Sequence, residues 1–108
     1  MNPLISDFQT QQHRTPVIVA LDFANEKDTL GFVRNLDPTL CQIKIGKELF
    51  TATGRNLAES LINQGFKLFL DLKYHDIPHT VAQACKVAAE MGVWMVDMHA
   101  SGGRRMME

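Results

Sequence analysis

Four short apolar runs, each ending in charged or polar residues and separated from the next by a segment of helical periodicity, set the pattern of this chain. Val17-Ile18-Val19-Ala20-Leu21 is largely β-branched, which suits a strand covered on both faces, and Asp22 ends it. Asn25 then offers a helix N-cap, with Glu26 and Asp28 in the first turn, where negative charge is favoured. Leu30, Val33 and Leu36 recur at helical spacing until Pro38 forbids continuation. A second strand is predicted over residues 41–45, stopping at Gly46. Residues 47–50 read as a short helical turn interrupted by Gly54. A clearer helix starts near residue 55, with Leu57, Leu61 and Ile62 on one face and Gly65 at its C′ position. Residues 67–73 form the third predicted strand. Pro78 suits the first turn of the next helix, whose small apolar face holds Val81, Ala84, Cys85 and Ala88 and which Gly92 can end. Residues 93–98 make the fourth strand, and His99-Ala100-Ser101-Gly102-Gly103 turns toward a further helix.

Strict alternation of strand and helix implies an α/β fold with a parallel sheet and right-handed crossovers. The strand ends Asp22, Lys44, Asp71 and Asp97 lie 22, 27 and 26 residues apart. Eight such units need roughly 200 or more residues, the lower end of the size of a closed (β/α)8 TIM barrel. On this reading residues 16–108 hold the first four β/α units, half of such a barrel. The competing architecture is a small doubly wound domain, which leaves the segment from Gly102 to Glu108 as an unfinished fifth unit.

Residues two apart on a strand point to the same face. Ile18, Ala20 and Asp22 share one face; so do Gln42 and Lys44; Phe69, Asp71 and Lys73; and Met95, Asp97, His99 and Ser101. The opposite faces are apolar on all four strands: Val17, Val19 and Leu21; Ile43 and Ile45; Leu68, Leu70 and Leu72; Trp94, Val96 and Met98. Each strand therefore offers one face to covering helices and one that turns polar at its C-terminal end. That is where active sites of β/α folds are built.

Composition narrows the field without changing it. The hydrophobic content of 45% is ordinary for globular material, and the net charge of −1 with no basic stripe argues against nucleic acid. Residues 1–15 read as a polar, loosely packed leader without the apolar core of a signal peptide, and no apolar run is long enough to span a bilayer, so a cytoplasmic location is expected. Cys41 and Cys85 are far apart among apolar or small neighbours and are expected to be buried free thiols.

The chemistry concentrates in the stretch from Asp71 to Thr80, an Asp-x-Lys-x-x-Asp core directly after the apolar run Leu68-Phe69-Leu70. Three ionisable groups of alternating sign at the end of a buried strand need partners. A structural ion-pair cluster is the plain alternative, but such a cluster need not obey parity on four strands. His75, Asp76 and His79 do not form a metal site on one helical face, because Pro78 places His75 in the preceding loop. Asp76 is also a candidate helix cap. His99 reads as a hydrogen-bonded residue of the interior.

The motifs Val19-Ala20-Leu21-Asp22-Phe23, Ile43-Lys44-Ile45-Gly46-Lys47-Glu48, Phe69-Leu70-Asp71-Leu72-Lys73-Tyr74-His75-Asp76-Ile77-Pro78 and His99-Ala100-Ser101-Gly102-Gly103 closely resemble the orotidine 5′-phosphate decarboxylase family in its bacterial form. The resemblance runs from about residue 16 onward. It implies a (β/α)8 barrel, usually a homodimer with active sites at the subunit interface, converting orotidine monophosphate to UMP without metal or organic cofactor. By position it implies that Lys73 is the proton donor to C6 and that Asp71 stands beside the substrate carboxylate. Lys44 and Asp22 hold the ribose and join the charge network. Asp76 pairs with Lys73 and, in the family, crosses from the partner subunit with Ile77 and Thr80. His79 stands where the family usually has Asn. The phosphate-gripping Gln and Arg belong to the second half of the family's barrel, so the 108-residue chain alone is expected to be inactive. Two other readings stand beside this one: a magnesium-dependent sugar-phosphate decarboxylase or synthase sharing Asp-x-Lys-x-x-Asp, against which Ile77-Pro78 speaks, and a non-catalytic half-barrel fragment.

Overall fold

The computed structural model describes residues 17–108; the polar leader expected over 1–15 lies outside the described residues. The chain runs β1 (Ile18–Ala20), α1 (Glu26–Val33), β2 (Gln42–Gly46), α2 (Lys47–Asn63), β3 (Leu68–Tyr74), α3 (Pro78–Glu90), β4 (Met95–Met98), a 3₁₀ turn (Ala100–Gly102) and α4 (Arg104–Met107). The strands pair in parallel in the order β1-β2-β3-β4. That order excludes the doubly wound alternative, in which the strand order reverses partway across the sheet. Each crossover instead advances by one strand in the same direction, as in an arc of a β/α barrel.

Parity decides where the core sits. Leu21, Ile43, Ile45, Leu68 and Leu70 are buried at 1% exposure or less and pack with Val33 of α1, Leu49, Leu57, Ala58 and Leu61 of α2, and Ala88 of α3. The helices thus cover the uniformly apolar strand face, and the face bearing Lys44, Asp71 and Asp97 is left for chemistry.

Local signals account for most element ends. Asn25 caps α1 as expected, its Oδ1 accepting from the Asp28 N–H at 2.8 Å. Gly65 and Gly92, at φ +100° and +89°, end α2 and α3 in matching Schellman arrangements. Phe66 N–H reaches Leu61 O and Gly65 N–H reaches Ile62 O; Val93 N–H reaches Ala88 O and Gly92 N–H reaches Ala89 O. Other expectations shift. α1 ends at Val33, and Leu36 falls in the following turn. α2 spans Lys47–Asn63, but Gly54 interrupts it as expected, its φ 68°, ψ −160° marking a kink between two helical pieces. β1 and β4 are shorter than predicted, at three and four residues. Both are the outer strands of the sheet, with a neighbour on one side only among the described residues. Cys41 is buried as expected, its thiol 3.6 Å from Asp37 O, and its pKa is raised by burial and by Asp37; Cys85 is only half-buried, and both are free.

Candidate active site

β3 carries the site because its polar positions follow directly on its buried ones. Asp71 is 8% exposed, and burying a carboxylate is costly unless partners are supplied. It has two lysines: Lys73 Nζ lies 2.7 Å from Oδ1 and Lys44 Nζ lies 3.5 Å from Oδ2. Lys44 comes from β2, whose Gly46 pairs with Asp71, so adjacent parallel strands bring the two side chains together from the same face.

Simple alternation does not account for Lys73. Leu70 pairs with Val96, but the next pairing joins Tyr74 to Met98, so four steps on β3 match two on β4. The extra residues form a bulge, a device that re-aims side chains and locally breaks the ladder. Lys73 sits in it at φ +53°, the only non-glycine residue with positive φ among the described residues. That conformation costs roughly 1–2 kcal/mol for an L-residue. The ladder resumes beyond it, where His99 N–H reaches Tyr74 O at 2.8 Å.

A fourth group, Asp97, was placed by the sequence among the polar strand ends but given no role. Asp97 Oδ1 accepts the Lys73 backbone N–H at 2.9 Å, and its carboxyl also hydrogen-bonds with that of Asp71. The hydrogen bond with Asp97, then that with Lys73, holds Asp71 down at about 2. Burial first, then Asp71, pushes Asp97 up. Asp71 therefore ionises before Asp97, and two like groups in contact are driven apart in proton affinity. The hydrogen bond that Lys73 donates to Asp71 raises the Lys73 pKa against a smaller opposing effect of burial, so the ammonium persists. The signal for Asp97 was its parity with Asp22, Lys44 and Asp71, but its contact with the Lys73 backbone depends on the bulge.

The other candidates lie apart from this array. Asp76 is exposed and makes no ion pair with the Lys73 of its own chain; its Oδ1 accepts from Ile77 N–H at 2.7 Å. Nor does it cap α3, whose N-cap is Ile77 without a side-chain hydrogen bond. Asp22 is exposed and outside the ion pairs of the described residues; it lines a hollow of about 250 Å³ with Phe23, Gly46, Lys47 and Glu48. Ile77 is 65% exposed, and Thr80 and His79 are exposed on the first turn of α3. His99 is exposed among the described residues, its ring 5.1 Å from that of His75.

An ammonium fixed beside a buried carboxylate, with a second ammonium near, can stabilise and then protonate a developing carbanion. Known proteins resemble this chain in sequence and in fold. Residues 15–108 match the model of the orotidine 5′-phosphate decarboxylase / HUMPS family. The whole chain is 96% identical to 44% of the length of an orotidine 5′-phosphate decarboxylase of Neisseria meningitidis serogroup B, and 63% identical to 45% of the one from Laribacter hongkongensis. It therefore spans less than half the length of these relatives. Among solved structures, orotidine 5′-phosphate decarboxylase from Lactobacillus acidophilus superimposes with a TM-score of 0.80 at 44% identity, over 85% of this chain and 42% of that one. The Thermotoga maritima enzyme gives 0.70 at 25% identity, over 88% and 47%. The sheet order and the match of residues 15–108 point the same way: the chain belongs to the orotidine 5′-phosphate decarboxylase / HUMPS family.

Proposed function

We propose that this chain is the N-terminal part of an orotidine 5′-phosphate decarboxylase, which converts orotidine monophosphate to UMP and carbon dioxide in the last step of de novo pyrimidine nucleotide synthesis. The observation that carries the reading is the Lys44–Asp71–Lys73 array at adjacent strand ends. In the reaction the bond between C6 and the carboxylate breaks and its electron pair stays on C6. The Lys73 ammonium stabilises that charge and then gives C6 a proton, leaving a neutral amine that solvent reprotonates. Asp71, held ionised, keeps Lys73 charged and stands where the substrate carboxylate must leave. Preorganised electrostatics is the principal source of rate, with repulsion from Asp71 as an addition. Lys44 and Asp22 hold the ribose. No metal or organic cofactor takes part.

The enzyme works as a cytoplasmic homodimer that shares its sites. Asp76, Ile77 and Thr80 reach the neighbouring subunit's substrate, and Asp76 pairs with that subunit's Lys73. The exposure of an apolar Ile77 beside the strand end supports this arrangement. No helix of the described residues is long and apolar enough to cross a membrane.

The family description also includes a second chemistry, and a magnesium-dependent sugar-phosphate decarboxylase or synthase is the second reading. Both are tested on the full-length protein carrying this sequence, by loss of orotidine monophosphate absorbance with and without EDTA. Turnover that survives EDTA, and that falls at least roughly 10³-fold in kcat/KM in Lys73→Ala, is expected. Near-normal turnover in Lys73→Ala overturns the role of Lys73, and loss of activity in EDTA favours the magnesium reading.

A further inference from the structure

The bulge on β3 raises a question that the reaction chemistry does not answer: what keeps a non-glycine residue in a left-handed conformation at the place where the proton donor is needed? Where Leu70 and Val96 pair regularly, backbone groups satisfy one another. Between Leu70 and Tyr74 the ladder is broken, and the Lys73 N–H faces a side chain in place of a backbone carbonyl. That side chain is Asp97, which lies between the two β4 residues, Val96 and Met98, whose pairings bracket the bulge. One residue thus occupies the gap in the ladder, accepts the Lys73 N–H at 2.9 Å, and hydrogen-bonds with Asp71, which itself holds the Lys73 ammonium at 2.7 Å.

Resting on the decarboxylase reading above, we infer that Asp97 is a positioning residue for the proton donor: its carboxyl oxygen, hydrogen-bonded to the Lys73 backbone N–H, holds the bulge of β3 in the conformation that aims the Lys73 ammonium. Asp97 acts through Lys73 and Asp71. Its function requires an acceptor oxygen at the bulge, not a negative charge, so Asn is a competent replacement and Leu, similar in size without an acceptor, is not. Losing the acceptor frees Lys73 to leave the left-handed well, which displaces the ammonium while groups that grip the rest of the substrate stay in place.

The test is steady-state kinetics of the full-length protein and its Asp97→Asn and Asp97→Leu variants, with exchange of the Lys73 amide followed by NMR. Asp97→Leu is expected to lower kcat roughly 10²-fold with KM little changed, as for a reacting group displaced by about 1 Å. Asp97→Asn is expected to keep kcat within about threefold of the parent, since the neutral acceptor preserves the hydrogen bond. In the parent the Lys73 amide should exchange at least roughly tenfold more slowly than an unprotected amide. Asp97→Leu with the parent's kcat overturns the inference, as does Asp97→Asn impaired as severely as Asp97→Leu. Should Asp97→Leu fail to fold, the Asn variant and the Lys73 amide decide: rapid exchange in the parent overturns the inference. A parent without decarboxylase activity removes the functional reading alone, because amide protection reports the Asp97 contact without any turnover.

Discussion

At the scale of single residues, the site is a problem in keeping charges where water would neutralise their effect. Lys73 is half-exposed, yet its proton is held more tightly than in an ordinary lysine because Asp71 accepts a hydrogen bond from it at 2.7 Å; the charges of Asp71 and Asp97 add to this. The sign follows: a base with a raised pKa stays charged through neutral pH, and the charge is lost only as pH rises above the ordinary lysine value of 10.5. Asp71 titrates at the other extreme, near 2, so ammonium and carboxylate coexist across the whole physiological range. NMR titration of the full-length protein with isotope-labelled lysine should show Lys73 still protonated at about pH 10, and Asp71→Asn, which removes the largest cause of the shift, should bring its titration to lower pH. A Lys73 signal that titrates below the other lysines in the parent, or that does not move in Asp71→Asn, would contradict the proposed electrostatics.

At the scale of elements, what was legible in the sequence was whatever is decided locally. Asn25 caps α1, Pro78 opens α3 and Gly65 and Gly92 close helices, because each acts on backbone within a few residues of itself. Parity was legible for the same reason, and it placed Leu68 and Leu70 against helices and Asp71 on the polar face. The bulge was not legible, since it exists only in the pairing of β3 with β4, and with it the contact of Asp97 with Lys73 was hidden. Nor did spacing reveal that Asp76 turns back to the Ile77 N–H, leaving Lys73 without it inside this chain. Gly54 was legible: it interrupts the helical pattern as expected, and α2 is two helical pieces meeting at a kink there. Its φ 68° and ψ −160° belong to a region open essentially to glycine alone, so Gly54→Ala should destabilise by about 1–3 kcal/mol although a Cβ there meets nothing within 4 Å. Gly31, inside α1 and equally open around its Cβ, should respond with the opposite sign, Gly31→Ala stabilising by about 0.5–1 kcal/mol. Denaturant midpoints of the two variants in the full-length protein check this, and equal midpoints would show that backbone conformation at Gly54 is not the controlling term.

At the scale of the whole molecule, four parallel strands form an arc whose outer face is covered by helices and whose polar face carries the reactive groups. β1 and β4 each have a strand neighbour on one side only among the described residues, and Val17, Ile18 and Trp94 near these edges are more than 40% exposed. Unpaired edges and exposed apolar side chains favour association with further strands. The relatives are more than twice as long, which is the length needed to continue such an arc. Catalysis needs more than the reacting end of a site: binding energy from remote parts of a substrate, a phosphate above all, is what is spent on orientation at the centre of reaction. By the family resemblance those phosphate contacts lie in the second half of the barrel. The 108-residue chain, produced by itself, should therefore self-associate in sedimentation and decarboxylate orotidine monophosphate poorly or not at all, even with Lys44, Asp71 and Lys73 in place. Supplying separately the C-terminal part of the Neisseria meningitidis relative, 96% identical over the shared length, should restore measurable turnover, and Lys73→Ala in the supplied pair should abolish it again. Strong turnover by the 108-residue chain alone would show that the phosphate grip is dispensable; a pair that associates into a soluble complex without turnover would show that covalent continuity of the barrel is needed to aim the strand ends.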